Sequence, residues 1–547
     1  MKKYRYIGIV VSLMFVIVLA GCGNGTSKEA PQIICYNGTF TGTVEDNGVK
    51  SFKGIPYAQA PTGELRWKAP QPVEKSDEIF AADSYGKAAI QYETFSVPAS
   101  FNEKGEDCLS LNIWTKDIKT KGKAVMVYIH GGGFNWGSSS DDDHFSGRYI
   151  AEDNEDVAVV TINYRLGMYG LIDFSKVPGG EEYKESTYLS VLDIIQALKW
   201  IKQNAESFGG DPENIMVFGE SAGGAYVSYL MACEQAEGLF NHAIAQSGSL
   251  NLTFSQEQYD ELGLTELLLE KTGAKNMKDL IAIPEEELEE IYTSYDEEGI
   301  CLNDFVNMPL RGGNGLVPED PYEALREGVN RDVDFITGTN SDEWRYWINE
   351  TGEKPVTEMD EEGVEQNKAI YEEYIVGAKY QKTMSIASSE EKKNIKKFLS
   401  ICGEDEKIWQ YTELANETAF RVPSIDTAYA HASAGGNTYM YYFEKEKDDM
   451  DFFGSCHAAE LPYVFNRADG TGYSETVDKD LAGKISRMWA QFARTGDPSI
   501  KEFEWKQYSV SKRETLDVGN DNSLIMVNDP LSEQRKLIEP FVKYYLN

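Results

Sequence analysis

Short, mainly apolar runs recur along this chain, and such runs predict buried strands. The clearest runs lie at residues 124–129, 214–218, 333–340 and 438–443. Segments with helical patterning follow or separate them, for example residues 225–232. Side chains just beyond the carboxyl ends of such strands lie where α/β proteins place their functional sites.

A serine lies at the apex of one predicted strand-to-helix turn, Gly219-Glu220-Ser221-Ala222-Gly223-Gly224. Glycines on both sides of the serine let the helix pass close to the strand and permit the strained backbone that exposes a nucleophilic hydroxyl. The N-terminus of the helix beneath that hydroxyl favours negative charge. Ser221 is therefore the candidate nucleophile, and the alternative is a glycine-rich turn without chemistry.

A nucleophilic serine needs a base, and two of the five histidines lie far enough downstream for the chain order serine, acid, histidine. His431 ends an alanine-rich helical run and is interpreted as a histidine at a helix C-terminus. His457 lies in a loop beyond the apolar run 438–443, from which an imidazole could reach the sheet edge. We expect His457 to be the base; the alternative is a loop histidine without a role.

Two adjacent carboxylates are candidates for the acid that orients the base. Asp342 and Glu343 follow the predicted strand 333–340, where α/β proteins place their sites. In an extended loop adjacent side chains point in opposite directions, so only one of the two can meet His457. Spacing alone leaves the choice open.

A glycine loop, His130-Gly131-Gly132-Gly133-Phe134, follows the predicted strand 124–129. Successive glycines leave backbone N–H groups bare, as in the oxyanion hole of esterases. The N–H of Ala222, directly after the serine, would complete such a hole. A phosphate-binding loop is the alternative, but no Lys-Ser or Lys-Thr pair follows the glycines.

The order of these motifs resembles the type B carboxylesterase and cholinesterase-like family of α/β hydrolases, from about residue 42 to the C-terminal region. Further matching motifs are residues 52–58 with 65–67, residues 105–114, 163–167, 197–201, 208–212, 245–249 and 495–498. The resemblance implies an α/β-hydrolase fold: a central, mostly parallel mixed sheet flanked by helices, with helical insertions over the pocket. It also implies hydrolysis of carboxylic esters through an acyl-enzyme, without a metal or other cofactor.

Carried over by position, the resemblance implies that Ser221 is the nucleophile, Glu343 the acid and His457 the base. It implies an oxyanion hole formed by the N–H groups of Gly132, Gly133 and Ala222. An amidase or peptidase with the same triad stays open as an alternative, as does a catalytically inactive binding or adhesion module. The module is disfavoured because it has no need of a serine, an acid, a histidine and a glycine loop together.

The chain departs from the family pattern in two places. Cys108 matches a cysteine that commonly pairs with one farther upstream, where this chain has Ala88 and Ala89. We therefore expect Cys108 to be an unpaired, buried thiol. The aromatic residues with which cholinesterases hold a choline cation find no match in residues 97–101, so a general or differently specialised carboxylesterase is favoured.

The N-terminus resembles a bacterial lipoprotein signal. Basic residues at positions 2, 3 and 5 precede an apolar run, residues 7–20, that closes with Leu19-Ala20-Gly21-Cys22. This pattern predicts that residues 1–21 are a signal peptide, that Cys22 carries lipid and that residues 22–30 form a flexible tether. The product would be an exported enzyme anchored at the cell surface; the alternative is an uncleaved membrane anchor.

The formal net charge is −38, which argues against nucleic acid as a partner and against long-range attraction of anionic substrates. Acidic clusters such as residues 141–144 and 285–287 are interpreted as solvated faces or loops rather than calcium sites. Without a Cys-x-x-Cys or His/Cys cluster, no metal site is predicted. The expected partner is a small ester, with membrane contact only through the N-terminal lipid, and neither disulfide connectivity nor oligomeric state is predicted.

Residues 31–547 are predicted to form one catalytic domain, because we find no internal repeat and the candidate site residues spread from Gly132 to His457. Residues 350–420, between the acid and the base, are acidic and helix-patterned, most clearly at residues 390–399. This segment is interpreted as a helical insertion that roofs the pocket and sets specificity.

Overall fold

The computed structural model describes residues 30–92, 103–140, 145–312, 316–350, 359–446, 453–467 and 477–540. The predicted signal peptide and nearly all of the predicted tether lie outside the described residues. So do the acidic cluster 141–144 and the segment 97–101 that was compared with the choline site.

The strands of the described residues are β1 (Gln32–Cys35), β2 (Gly38–Thr41), β3 (Thr43–Val44), β4 (Lys50–Pro56), β5 (Ile79–Ala81), β6 (Ser110–Thr115), β7 (Lys123–Ile129), β8 (Val157–Ile162), β9 (Gly210–Glu220), β10 (His242–Gln246), β11 (Asp334–Asn340), β12 (Thr438–Phe443), β13 (Glu514–Val518) and β14 (Leu524–Asn528). Eleven of them form one mixed sheet in the order β14-β13-β12-β11-β10-β9-β7-β8-β6-β4-β3, and β1, β2 and β5 form a small separate sheet.

The centre of the large sheet is parallel. Strands β8, β7, β9, β10, β11, β12 and β13 pair in parallel register, and antiparallel strands extend the sheet at both edges. Every residue of β7, β8, β10 and β12 is buried. This burial on both faces explains why the runs are mainly apolar. The parallel centre with antiparallel edges confirms the mostly parallel, mixed sheet that the family resemblance implies.

Helices cover the sheet. They are α1 (Arg148–Asp153), α2 (Gly167–Gly170), α3 (Leu189–Asn204), α4 (Ala222–Met231), α5 (Gln256–Leu262), α6 (Leu264–Thr272), α7 (Met277–Ile281), α8 (Glu285–Thr293), α9 (Pro321–Glu327), α10 (Glu361–Ile370), α11 (Gly377–Ile386), α12 (Ser389–Leu399), α13 (Lys407–Asn416), α14 (Val422–Ser433), α15 (Leu461–Val464), α16 (Lys479–Thr495) and α17 (Ser532–Ile538). Among the 3₁₀ helices, Glu343–Glu350 matters most for the site.

Local sequence signals begin and end these helices. The side chain of Asp478 caps the first turn of α16, and Gly496 ends that helix in the left-handed conformation that glycine adopts without strain. Ser388 and Glu391 form a reciprocal capping box at the start of α12. The predicted helical segment 390–399 is thereby confirmed.

The structure corrects the sequence prediction at the serine turn. Strand β9 continues to Glu220, and α4 begins at Ala222, so Ser221 alone joins the strand to the helix. The predicted strand 214–218 was too short, and the predicted helix 225–232 began too late. The reason is that glycines 219, 223 and 224 remain inside the regular elements, where close packing rather than a loop requires them.

Six cysteines lie in the described residues, and Cys108 among them is buried and forms no disulfide. The predicted unpaired, buried thiol at this position is confirmed. No helix in the described part of the chain is long and apolar enough to cross a membrane.

Candidate active site

The carboxyl ends of β7 and β9 lie side by side near the centre of the sheet. β7 pairs with β8 on one side and β9 on the other, so the strand order reverses here. In open α/β sheets this position is the usual place for a ligand site. The glycine loop follows β7, and Ser221 follows β9, so the fold brings the two motifs together.

The backbone of Ser221 has φ 59° and ψ −124°, a conformation that residues other than glycine rarely adopt. Its N–H donates to the carbonyl of Gln246 at 2.9 Å, which fixes the turn against the end of β10. A Cβ on Gly223 would lie 2.0 Å from the carbonyl oxygen of Ile129, so only glycine permits this approach of helix to strand. Strain of this kind persists only where the surroundings hold it, and it is concentrated at functional sites.

The glycine loop lies directly against the serine. A Cβ on Gly131 would be 3.0 Å from the Cβ of Ser221. Gly132 and Gly133 both have positive φ, 104° and 59°. Among the described residues, the N–H groups of Gly132, Gly133 and Ala222 find no hydrogen-bond acceptor. Unpaired backbone donors are rare, and three beside one serine form a site suited to an oxyanion.

Glu343 lies at the start of the 3₁₀ helix that follows β11, and its side chain is fully buried. Its Oε1 accepts hydrogen bonds from the hydroxyl of Ser247 at 2.6 Å and from the N–H of Asn340 at 2.8 Å. Its Oε2 lies 2.5 Å from Nδ1 of His457. The two donors on Oε1 therefore hold the carboxylate with its other oxygen toward the imidazole.

His457 is tied to Glu343 by main chain as well as side chain, because its N–H donates to the carbonyl of Glu343 at 3.2 Å. Nε2, the other ring nitrogen, lies 3.2 Å from Oε1 of Glu220 and forms no hydrogen bond among the described residues, with Ser221 or any other group. In enzymes without substrate, catalytic hydrogen bonds are often long and tighten only in the complex.

Asp342 has a different set of partners. Its Oδ2 accepts the N–H of Ser455 at 3.0 Å and the hydroxyl of Ser341 at 2.6 Å, and its Oδ1 lies 2.9 Å from Nε of Arg345. The extended loop expected for Asp342 and Glu343 is wrong, because a 3₁₀ helix begins at Glu343. The two carboxylates nevertheless point in different directions. Glu343 contacts the imidazole of His457, and Asp342 contacts the main chain of the loop that carries His457.

Two further glutamates lie beside this pair. Burial raises the pKa of Glu220, His457 opposes the rise, and Glu460 and Glu343 add to it, so that the pKa is raised to about 8. Burial and Glu343 also raise the pKa of Glu460, whose carboxylate is held by the amides of Gln246 and Asn340. Burial alone would lower the pKa of His457, but Glu220 and Glu343 outweigh it and raise that pKa. The site therefore stabilises an imidazolium cation.

Aromatic rings surround the imidazole. The ring centroids of Phe420 and Trp347 lie 4.9 and 5.1 Å from that of His457, and Tyr346 lies 6.0 Å away. These rings cover part of the imidazole and give the neighbouring space an apolar wall. Low local polarity strengthens the electrostatic contacts at the imidazole.

His431 is not part of this arrangement. It lies in the last turn of α14, as predicted, and its Nδ1 contacts the hydroxyl of Thr438 at 2.9 Å. Thr438 begins β12, so His431 lies at the amino ends of the parallel strands, opposite the serine. Burial lowers its pKa to about 4, which keeps the imidazole neutral.

Sequence reasoning did not identify Ser247, Glu220 or Glu460 as members of the site. The position of Ser247 directly after β10 is a signal that could have found it, since side chains beyond strand ends gather at one edge. Glu220 directly precedes Ser221 and was visible only as part of the Gly219–Gly224 motif. For Glu460 the chain offers no local signal, because its partners are distant in sequence.

Comparisons with known proteins show the family of the chain. A family model described as the carboxylesterase family matches residues 29–536. The para-nitrobenzyl esterase of Bacillus subtilis (strain 168) is 32% identical over 526 residues, covering 92% of this chain and 97% of that enzyme. Carboxylesterase 5A of Canis lupus familiaris is 30% identical over 524 residues, covering 91% and 87%. The solved structure of a Geobacillus stearothermophilus carboxylesterase aligns with a TM-score of 0.76 and 30% identity, covering 92% of this chain and 99% of that one.

Proposed function

Because this chain belongs to the carboxylesterase family of α/β hydrolases and is a carboxylic ester hydrolase, we propose that it acts by two-step acyl transfer through Ser221. The observation that carries this proposal is the contact of Glu343 with Nδ1 of His457 at 2.5 Å, beside a strained serine. Nδ1 is then occupied by the acid, and Nε2 is left for the serine proton.

In the first step Oγ of Ser221 attacks the ester carbonyl carbon while Nε2 of His457 takes the hydroxyl proton. Glu343 keeps the imidazole in the tautomer with the proton on Nδ1 and stabilises the imidazolium that forms. The N–H groups of Gly132, Gly133 and Ala222 bind the tetrahedral oxyanion, each contributing on the order of 3 kcal/mol. The C–O bond to the alcohol then breaks, and the imidazolium returns its proton to the departing alkoxide.

In the second step water attacks the acyl-enzyme, with His457 again acting as the base. The tetrahedral intermediate collapses, the carboxylic acid leaves, and Oγ of Ser221 regains its proton from the imidazolium. No metal or other cofactor is required for any of these steps.

Hydrolysis of a chain-length series of aryl esters beside matched anilides tests the proposed function. The ester series is expected to be hydrolysed much faster than the anilides, and its chain-length optimum measures the size of the acyl pocket. Equal rates on matched esters and anilides would instead identify an amidase or peptidase. Absence of hydrolysis in both series, from a folded protein, would identify a binding module.

Glu220→Gln is expected to move the acidic limb of the kcat/KM–pH profile to lower pH. The Glu220 carboxylate lies 3.2 Å from Nε2 and helps to raise the pKa of His457. The base works only when it is neutral, so a lower pKa extends activity toward acidic pH, by about one pH unit. Profiles of the parent and the variant on one aryl ester measure the shift.

Glu106→Gln is the matched control for this pH prediction. Glu106 is also buried, and its pKa is raised by burial, but its partner is Arg66 rather than His457. The control should leave the acidic limb in place. An unchanged limb in Glu220→Gln, or the same shift in both variants, would contradict the assigned effect of Glu220 on the base.

Cys22 is proposed to carry lipid in the mature protein, with cleavage before it, because Leu19-Ala20-Gly21-Cys22 closes an apolar run. Mass spectrometry of the N-terminal peptide should find Cys22 as the first residue, with a lipid mass added. Cys22→Ser should lose the lipid and leave the membrane fraction, whereas Cys402→Ser should keep both properties. An unmodified Cys22 in the native protein, or cleavage elsewhere, would contradict the proposal.

A further inference from the structure

A buried amide side chain forms hydrogen bonds on both sides of the turn that carries Glu343. Asn416 is the last residue of α13, and it is 3% exposed. Its Oδ1 accepts the N–H of Trp344 at 2.8 Å, and its Nδ2 donates to the carbonyl of Ser341 at 3.1 Å. These two peptide groups lie on either side of the Asp342–Glu343 pair. One side chain therefore spans the turn from a residue that lies 75 positions later in the chain than Ser341.

The chemistry of this contact requires an amide. Nδ2 of Asn416 also donates to Oε1 of Glu413 at 3.2 Å, one turn earlier on the same helix. The side chain thus uses its oxygen as an acceptor and its nitrogen as a donor at the same time. A carboxylate of the same shape would keep the acceptor but lose the donor, and it would be placed beside another carboxyl group.

The turn that Asn416 holds is short, and it positions the carboxylate of Glu343 against His457. Between the end of β11 at Asn340 and Glu343, the chain leaves the sheet and enters a 3₁₀ helix. The carboxylate of Glu343 must remain 2.5 Å from Nδ1 of His457. A displacement of about 1 Å at such a contact can reduce the rate about a hundredfold.

We propose that Asn416 is a positioning residue for ester hydrolysis, acting through the main chain on both sides of Asp342 and Glu343 to hold the acid against the base. This inference rests on the proposed roles of Glu343 and His457. Helix α13 thereby contributes to catalysis. The two hydrogen bonds of Asn416 fix the position of the Glu343 carboxylate, and that carboxylate in turn fixes the imidazole of His457.

Asn416→Ala is expected to lower kcat about 10- to 100-fold, with little change in KM, because the acid is displaced while the serine and the oxyanion donors stay in place. The acidic limb of the pH profile should also move to lower pH, since Glu343 is one of the groups that raise the pKa of His457. A purely structural role would not move that limb.

Asn416→Asp is the second variant, and it preserves the shape of the side chain. The ratio of its activity to that of the parent should fall as pH rises, because ionisation of the introduced carboxyl group removes the donor to Ser341 and repels Glu413. Burial and Asp342 already raise the pKa of Glu413. A ratio that does not change with pH would contradict the requirement for a donor.

Asn367→Ala is the matched control. Asn367 is also a buried asparagine on a helix of the 350–420 segment, and its Nδ2 donates to the carbonyl of Ile348 at 2.6 Å. Ile348 belongs to the same 3₁₀ helix as Glu343 but lies at its far end. The control should lower the thermal unfolding temperature without changing kcat or the pH profile. Equal losses of kcat in both asparagine variants would overturn the inference in favour of general order in that helix.

A double-mutant cycle separates this inference from the proposed function. If Asn416 acts through the acid, Asn416→Ala should add little further loss once Glu343 is replaced by Gln, so the two effects are not additive. Additive losses would overturn the inference. If Glu343→Gln alone were nearly silent, the proposed role of Glu343 would fail instead; if Glu343→Gln were crippling and Asn416→Ala silent, only the role of Asn416 would fail.

Discussion

Ser221→Ala abolishes ester hydrolysis, with an expected loss in kcat of about 10⁶-fold, the scale measured for loss of a catalytic serine in a serine hydrolase. The substitution removes the attacking oxygen but leaves the oxyanion donors and the imidazole in place. The backbone strain at this position, where φ is 59°, is the same for alanine as for serine. The fold should therefore be retained. Steady-state kinetics and thermal unfolding of the purified variant measure the two effects.

Ser228→Ala provides the control for this result. Ser228 lies in α4, the helix that begins after the nucleophile, and its hydroxyl donates to the carbonyl of Gly248 at 3.1 Å. Its loss should affect stability but not the chemical step. A fluorophosphonate label should modify the parent and the Ser228→Ala variant at Ser221, and it should not modify Ser221→Ala. Activity of Ser221→Ala within about tenfold of the parent would rule out Ser221 as the nucleophile, given the size of the normal loss.

Glu343→Gln should lower kcat by about 10³- to 10⁴-fold, the scale seen when a triad carboxylate becomes an amide. The neutral amide cannot stabilise the imidazolium, and its NH₂ group can hold the wrong tautomer of His457. The amide NH₂ also replaces a carboxylate oxygen. It then lies either at the 2.5 Å contact with His457 or beside the donors of Ser247 and Asn340. Presteady-state and steady-state rates on an aryl ester measure the loss.

Asp342→Asn is the comparison for this prediction, because the two residues are adjacent and carry the same charge. Asp342 binds the N–H of Ser455 and lies beside Arg345, so its amide variant should lower stability and reduce kcat far less. A crippling Asp342→Asn with a nearly silent Glu343→Gln would reverse the assignment of the acid.

The sequence was sufficient for those parts of the site that local chemistry dictates. A serine between glycines at a strand-to-helix turn, and three glycines after a strand, are local patterns with direct structural meaning. The apolar runs predicted the strands, because a strand that is buried on both faces has few polar side chains. The mostly parallel sheet was implied by the family resemblance. His457 could be chosen because only His431 competed with it in the required chain order.

Sequence reasoning failed where contacts join distant segments. The spacing of Asp342 and Glu343 could not distinguish them, since the choice depends on a 3₁₀ turn that is stabilised from elsewhere. The spacing of Trp344 and Trp347 fits this 3₁₀ helix, because such a helix places residues i and i+3 on one face. Their ring centroids lie 4.6 Å apart. Asn416 has no local signal, because its function depends on main-chain groups of a turn far away in sequence.

Parallel strands cannot be joined by tight hairpins, so each neighbouring pair in the centre of this sheet needs a long crossover connection. The glycine loop, Ser221, Glu343 and His457 follow four different strands of that sheet, β7, β9, β11 and β12. During synthesis, a nascent chain that ends between residues 343 and 457 already contains Ser221 and Glu343, the proposed nucleophile and acid, but not His457, the proposed base. Hydrolytic competence is therefore acquired late, when the last parallel strands dock, and the unpaired edge of β11 is exposed to other chains until β12 covers it.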